Sequence, residues 1–383
     1  MIEKILLAPY YITLSARHWM YDHGWKKSAE AGVPTICVGN VTVGGTGKTP
    51  HAEMILRTLL ASDRWAYSNI AVLSRGYKRR SKGFQKVDRS GSAALFGDEP
   101  LQIAKKFPVI TVADDADRIE GCRFLTHPEE LQTSKKARRC MDKDIPRADI
   151  ILLDDAFQYR KLRATVNVVL VDYNRPVHKD ALLPLGRLRD LPGRLKAADI
   201  LIVTKCPAYL DAWERSRWAN NLGLKDFNPT TCEAVNKAGK KVSLFFTGID
   251  YGEMTPVFPE ADARFIYAKR LILFTGIAKD TPMVNFLSDK YSIVRRMRFP
   301  DHHKYSGADI RTIEAAIREN PTALVCTTEK DAQRIVDAKR IPDALKQRLF
   351  QLPIEVFFLT PEEREIFTAQ LETLLQKGST KSI

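Results

Sequence analysis

The sequence predicts an α/β protein, with a large sheet of mainly parallel strands covered by helices and a second, smaller α/β lobe after it. Three observations predict this. From Pro34 onward, short apolar runs alternate with segments of helical spacing. Those runs are almost continuously apolar, the character of strands buried on both faces. A chain of 383 residues with 44% hydrophobic content also exceeds what one compact domain needs.

The first segment, Met1 to Trp25, carries Ile2, Ile5, Leu6, Leu7, Tyr10, Tyr11, Ile12, Leu14, Trp19 and Met20, interrupted by Lys4, Arg17, His18 and Asp22. It is too short and too charged to span a bilayer, and no small-residue cleavage site follows it. Two readings stay open: a helix lying along a membrane surface with its aromatics at headgroup level, or an amphipathic helix packed on the core. Next come a strand over Thr35 to Val38, a Gly-rich turn and a helix over Ala52 to Leu60. Further strands are expected at Ile70 to Leu73, Pro108 to Val112, Asp149 to Leu153, Val166 to Val171 and Asp199 to Val203. Between about Phe227 and Phe265 the pattern changes. Val242, Leu244 and Phe246, then Met254 and Val257, flank Gly248 to Gly252 as in a hairpin, which reads as a ribbon linking two lobes. Strands at Arg270 to Phe274, Tyr291 to Val294, Ala323 to Thr327 and Ile354 to Phe358 then alternate with helices as the second lobe. The expected divisions are 1–25 (membrane-associating helix), 26–226, 227–265 (ribbon), 266–360 and 361–383 (C-terminal helix and polar tail).

The formal net charge is +14, which favours an anionic partner: nucleic acid, a phosphorylated substrate or an acidic membrane surface. No helix-turn-helix, zinc finger or aromatic stacking motif stands with the basic residues, so no nucleic acid is expected. The six cysteines are scattered, without a C-x-x-C pair, as buried free thiols of a reduced cytosolic protein are.

The strongest chemical signal is Val43-Gly44-Gly45-Thr46-Gly47-Lys48-Thr49 between a strand and a helix. Gly44, Gly45 and Gly47 let backbone N–H groups wrap a phosphate. Lys48 neutralises its oxygens, and the Thr49 hydroxyl suits magnesium. The usual phosphate-loop spacing has glycine where this chain has Thr42. Asp154 and Asp155 follow four apolar residues and read as metal-side acids, with strand-end helix caps as the plainer alternative. Asp98 and Glu99 before Pro100 could accept a proton from an attacking hydroxyl or simply start a helix. Asp301-His302-His303 is either a proton-accepting pair or a surface turn. Basic runs at Lys78, Arg79, Arg80, Lys82 and at Arg187, Arg189, Arg194, Lys196 suit phosphate binding or solvation. Thr204-Lys205 lacks the following Asp that guanine reading requires.

Taken in order, the motifs resemble the tetraacyldisaccharide 4'-kinase family, the lipid A 4'-kinases. They are Gly39-Asn40, the phosphate loop through Pro50, Ser74-Arg75-Gly76-Tyr77, Gly97-Asp98-Glu99-Pro100, Leu153 to Gln158, Leu183 to Arg189, Val203-Thr204-Lys205, Phe299-Pro300-Asp301-His302 and Thr328-Glu329-Lys330-Asp331-Ala332. The resemblance runs from about Pro34 to Ile335. It implies a P-loop NTPase-like α/β/α sandwich joined by a two-stranded β ribbon to the second lobe. It also implies ATP-dependent phosphorylation of the 4'-hydroxyl of a tetraacylated glucosamine disaccharide 1-phosphate, at the inner face of a Gram-negative inner membrane, with no obligate protein partner. By matching positions, Lys48 and Thr49 would serve ATP and Mg2+, with Asp154 or Asp155 as the metal-side acid. Asp98, supported by His302, would accept the proton. Glu99 and Arg189 would lie near the phosphates, Arg75 and Tyr77 near the lipid. The chain departs from the family pattern at Ala156, Tyr159, Arg187 and Asp190, which puts the backbone after Asp155 in question.

Overall fold

The computed structural model describes residues 2–379; Met1 and the last four residues of the polar tail lie outside them. The chain opens with α1 (Ile2–Asp22). Then β1 (Thr35–Asn40) enters the glycine-rich turn and α2 (Lys48–Leu60). There follow β2 (Ile70–Ser74), α3 (Asp98–Lys106), β3 (Thr111–Asp114), α4 (Arg118–Thr126), β4 (Ile150–Asp154), β5 (Val166–Asp172), β6 (Ile200–Thr204), α5 (Ala212–Asn221), β7 (Leu224–Asn228), β8 (Glu233–Asn236) and β9 (Lys241–Tyr251). In the large sheet the strands lie in the order Gln85–Lys86, β3, β2, β4, β1, β5, β6, β9, β8, β7. From β3 to β9 every pairing is parallel. Alternation along the strands supplies two cores. Ile36 and Val38 of β1 pack with Ile55, Leu56 and Leu59 of α2 on one face, while Cys37 joins Leu153, Leu14 of α1 and Cys122 of α4 on the other. All six cysteines are buried and free.

The second lobe contains β10 (Arg270–Thr275), α6 (Thr281–Ser288), β11 (Ser292–Arg298), α7 (Gly307–Glu319), β12 (Leu324–Thr328), α8 (Glu329–Ile335) and β13 (Leu349–Leu352). Its five-stranded sheet runs Thr255–Pro256, β13, β12, β10, β11. Met283 and Leu287 of α6 cover one face, and Ile310, Ile313 and Ile317 of α7 the other. Last come β14 (Ile354–Phe358) and α9 (Pro361–Ser379), whose Phe367, Leu371 and Leu375 return to the α2 face of the large sheet.

Two elements differ from the sequence expectation. No hairpin forms at Gly248 to Gly252. Instead β9 runs unbroken through Gly248, its first half beside β6 and its second half, Thr247–Tyr251, antiparallel to β14. The ribbon joining the lobes is therefore built from strands far apart in the chain, and Ile354–Phe358 belongs to it instead of to the second-lobe sheet. Gly248 serves close approach: a Cβ there would stand 2.1 Å from Cζ of Phe357 on the partner strand. Residues 227–236, expected in the linker, lie instead in the strands, and the turn between them, that extend the large sheet.

The lobes also touch directly, through α3 and α8. Lys106 Nζ lies 2.7 Å from Glu53 of α2 and 2.8 Å from Glu329 of α8, and Gln102 donates to Glu53 at 2.8 Å. Burial raises the Glu53 carboxyl, and Lys106 opposes it. Lys106→Met should cost about 2 kcal/mol, less than the roughly 3–5 kcal/mol of breaking a fully buried ion pair, because Lys106 keeps partial solvent access. Chemical denaturation would read this as a lower midpoint, and an unchanged midpoint would contradict the role.

Candidate active site

The candidate residues gather at the carboxyl ends of the parallel strands, where open α/β sheets place their ligands. After β1, the turn bends at Gly44 (φ 104°) and Gly47 (φ 85°), left-handed conformations that a side chain would strain. Gly47 is the residue immediately before α2, so the helix begins with Lys48 and Thr49 and its free N–H groups face the loop. Thr42 needs no glycine, because it bridges Leu188 in extended backbone and its neighbour Val43 donates to the Arg187 carbonyl at 2.7 Å. Asn40 donates to the Thr46 hydroxyl at 2.6 Å, and the Thr204 hydroxyl donates to the Thr46 carbonyl at 3.0 Å. Lys205 donates to the Gly45 carbonyl and pairs with Asp172 at 2.6 Å. Lys205 thus holds the loop from outside, which sets its role apart from base reading.

The Lys48 ammonium stands 3.7 Å from Oδ2 of Asp155. Burial lowers its pKa, with Asp155 pulling the other way. Asp155 itself has φ 49°, so the turn after β4 is made by the second aspartate, and Ala156 in the place of glycine carries no left-handed backbone. Arg189 grips both Asp155 oxygens, one at 2.9 Å, and also reaches Asn40 Oδ1 at 2.6 Å. Burial would raise the Asp155 carboxyl, but Arg189 and Lys48 hold it below the usual range. Asp154 differs. It is buried, and Ser74 donates to it at a long 3.3 Å. Burial, then the charge of Asp155, pushes it up to about 6.

Asp98 begins α3 and meets two groups of the other lobe. Arg334 of α8 donates to its Oδ2 from Nε at 2.9 Å and from Nη2 at 2.6 Å, and His302 Nδ1 lies 3.2 Å from the same oxygen. Burial would raise the carboxyl, yet these two partners hold it below the ordinary value, so it is ionised. All three contacts fall on Oδ2, and Oδ1 has no partner among the described residues. Nδ1 of His302 donates to Asp98 only while it carries its proton; Arg334 Nη2 at 3.1 Å then adds charge to the pair without a hydrogen bond. His302 sits at φ 60°, which turns its ring back toward the first lobe. Glu99 pairs with Lys330 at 2.7 Å and is held down by it against its burial. The charge of Lys330 reaches Lys48, and that of Glu99 reaches Asp154, so the lobe contact and the phosphate loop share one electrostatic neighbourhood.

Tyr77 is exposed, its ring centroid 6.5 Å from that of His302. Arg75 is exposed at the same turn. His303 points elsewhere, to Asp309 at 3.0 Å. Four participants escaped the sequence reading of site residues: Asn40, Arg118, Lys330 and Arg334. Arg118 donates to the Asp154 carbonyl at 2.9 Å. Lys330 and Arg334 stand four apart on one helix, facing Asp98 and Glu99, and that spacing was the available signal.

No group of three or more His, Cys, Asp or Glu side chains among the described residues is placed to hold a metal ion. The residues still fit magnesium, which takes one or two carboxylates beside phosphate oxygens and waters. Thr49 has no side-chain partner among the described residues, and Asp154 is a buried carboxylate whose charge a cation would relieve. No helix among them is long and apolar enough to cross a membrane.

Comparison with known proteins follows the same direction. The sequence profile of the family described as Tetraacyldisaccharide-1-P 4'-kinase matches residues 4–376. The tetraacyldisaccharide 4'-kinase of Phocaeicola vulgatus is 35% identical over 96% of this chain and 92% of its own length. That of Parabacteroides distasonis is 36% identical over 93% and 89%. The crystal structure of LpxK from Aquifex aeolicus in complex with ATP has the same fold, with a TM-score of 0.68 at 24% identity over 98% of this chain and 100% of that one.

Proposed function

The chain belongs to the tetraacyldisaccharide 4'-kinase family, and from that premise we propose that the cleft between its lobes transfers the γ-phosphoryl group of ATP to the 4'-hydroxyl of a tetraacylated glucosamine disaccharide 1-phosphate. The enzyme is an ATP-dependent kinase of lipid A biosynthesis. The observation that carries the assignment of the site is the bridge from Asp98 to His302 and Arg334, made across the lobes beside the Glu99–Lys330 pair, whose charges reach Asp154 and Lys48.

Phosphoryl transfer asks mainly for positioning and charge neutralisation. The loop from Gly44 to Thr49 wraps the phosphates, and Lys48 and Arg189 offset charge on their oxygens. Asp98 takes the hydroxyl proton on its free Oδ1, while His302 and Arg334 hold Oδ2 and fix the carboxylate's direction. Glu99, clamped by Lys330, keeps the start of α3 against α8. Arg75 and Tyr77 line the side from which the sugar enters. Thr49 and Asp154 would hold Mg2+, with Asp155 committed to Arg189 and Lys48; the ion would offset negative charge on the transferring phosphate. Closure of the lobes about the β9–β14 ribbon excludes water. The lipid's acyl chains stay in the bilayer, each buried CH2 being worth about 0.8 kcal/mol. The enzyme therefore works at the surface, on the cytoplasmic face of the inner membrane, with α1 as its contact.

The assigning experiment follows label from γ-labelled ATP into the disaccharide 1-phosphate lipid; label appearing only in inorganic phosphate would overturn the acceptor. A second measurement tests the metal side. Asp154 keeps its proton up to about pH 6, and a proton and a cation compete for the same oxygen. The thermal stabilisation that magnesium adds to ATP should therefore shrink as pH falls through about 6 and lose this dependence in Asp154→Asn. An identical profile in the variant would move the metal elsewhere.

A further inference from the structure

Helix α1 has two faces. The buried one carries Leu14 and His18 and touches the Arg189–Asp190 segment twice directly and once through Gln158 and Asn40. The Tyr10 hydroxyl donates to the Arg189 carbonyl at 3.2 Å. His18 Nε2 lies 2.6 Å from Oδ1 of Asp190, the next residue. Arg17 donates to the Gln158 carbonyl at 2.9 Å, and the Gln158 amide donates to the carbonyl of Asn40, whose side chain receives Arg189. The opposite face exposes Tyr11, Ile12 and Trp19, at 54%, 63% and 47%, and Trp25 just beyond the helix, at 74%. Trp19 stacks on His23 at 4.5 Å and meets Trp25 edge-on at 5.3 Å. Exposed Lys26 and Lys27 follow.

We propose that α1 is a surface-sensing element, in which seating its aromatic face in an anionic phospholipid surface positions Arg189, so that membrane binding and nucleotide binding strengthen each other. Interfacial tryptophan and tyrosine beside lysine are chemistry suited to a headgroup layer, and the basic chain complements its negative charge. Arg189 must hold one direction to meet phosphates; its N–H and that of Asp190 donate to the Val41 carbonyl at 2.9 and 3.3 Å, and α1 adds the Tyr10 bond to its carbonyl and the His18 contact to Asp190. A helix immobilised by the membrane has already met the ordering cost of that segment, so a nucleotide arriving second meets less of it. Tyr10, Arg17 and His18 are positioning residues that act through Arg189. The inference rests on the reading of Arg189 as a phosphate-binding group and of α1 as the membrane contact.

The test uses the full chain and vesicles of phosphatidylethanolamine with phosphatidylglycerol, with and without a non-hydrolysable ATP analogue. The analogue should raise vesicle partition about 5-fold or more, and vesicles should raise analogue affinity by the same factor, since the coupling is reciprocal. Tyr10→Phe, which removes one hydroxyl and keeps the packing, and His18→Gln should still partition in the absence of nucleotide but lose most of the gain. Partition indifferent to the analogue in the unaltered chain overturns the coupling while sparing both the membrane contact and the kinase assignment. A gain undiminished in both variants does the same to the proposed route. A chain that ignores vesicles and pairs with a second copy through this face overturns the coupling and the membrane contact together, again leaving label transfer to lipid intact.

Discussion

Asp98→Ala is expected to lower kcat by about 10²-fold or more, with the KM for ATP changed only modestly. The carboxylate is ionised, and its free oxygen is the proton acceptor in the proposed mechanism. Removing it takes away proton transfer while the phosphate loop, built on β1 and α2, keeps its shape. The variant also takes from Arg334, a buried guanidinium, its double contact with Asp98, leaving Asp331 at 3.0 Å, the Gly276 carbonyl at 3.1 Å and His302 Nδ1 at 3.1 Å. Asp98→Asn separates the two effects. It retains an acceptor for Arg334 and loses the base, so it should match Asp98→Ala in kcat and exceed it in melting temperature. His302→Ala should lower kcat by a similar order, since the ring orients the same carboxylate. Near-normal turnover in both Asp98→Asn and His302→Ala would end the acid–base assignment.

Lys48→Ala is expected to fail earlier in the cycle, with kcat/KM for ATP reduced by about 10³-fold or more. Lys48 is a half-buried cation opening α2, 3.7 Å from Asp155. Its loss removes one of the charges that offset Asp155, leaving Arg189 and the more distant Arg118. Lys48→Arg should not restore activity, because a planar fork cannot replace a compact ammonium beneath a wrapped loop. The helix itself is set by Gly47 and by Ile55, Leu56 and Leu59 in the core, so circular dichroism should be unchanged. Titration with the ATP analogue would decide the point; binding within about two-fold of the unaltered chain would remove Lys48 from the nucleotide site.

The two variants divide the mechanism between elements of unequal legibility. The phosphate loop could be read directly, because a strand, a glycine turn and Lys-Thr at a helix start are neighbours in the chain. Its irregular Thr42 lies in extended backbone bridged to Leu188, a partner distant in the chain. The proposed base was half legible. Asp98 and His302 were named as candidates, but Arg334, the stronger partner of Asp98, lies 236 residues away, and only its four-residue spacing from Lys330 hints at the pair. The ribbon was misread at Gly248, where glycine signals a turn when only neighbours are considered and a crowded aromatic when the partner strand is known.

By itself, then, this sequence determined the parallel strands, the glycine loop and the two aspartates at a strand end, since apolar runs, special backbone angles and strand-terminal acids are properties of adjacent residues. Only the tertiary structure decided that Asp155 is committed to Lys48 and Arg189 while Asp154 is left buried and protonated up to about pH 6, and that Asp98 keeps one oxygen free. It alone joined α1 to Arg189. Those outcomes depend on which side chains packing brings within a few ångströms across two lobes, and on how deeply it removes each charge from water.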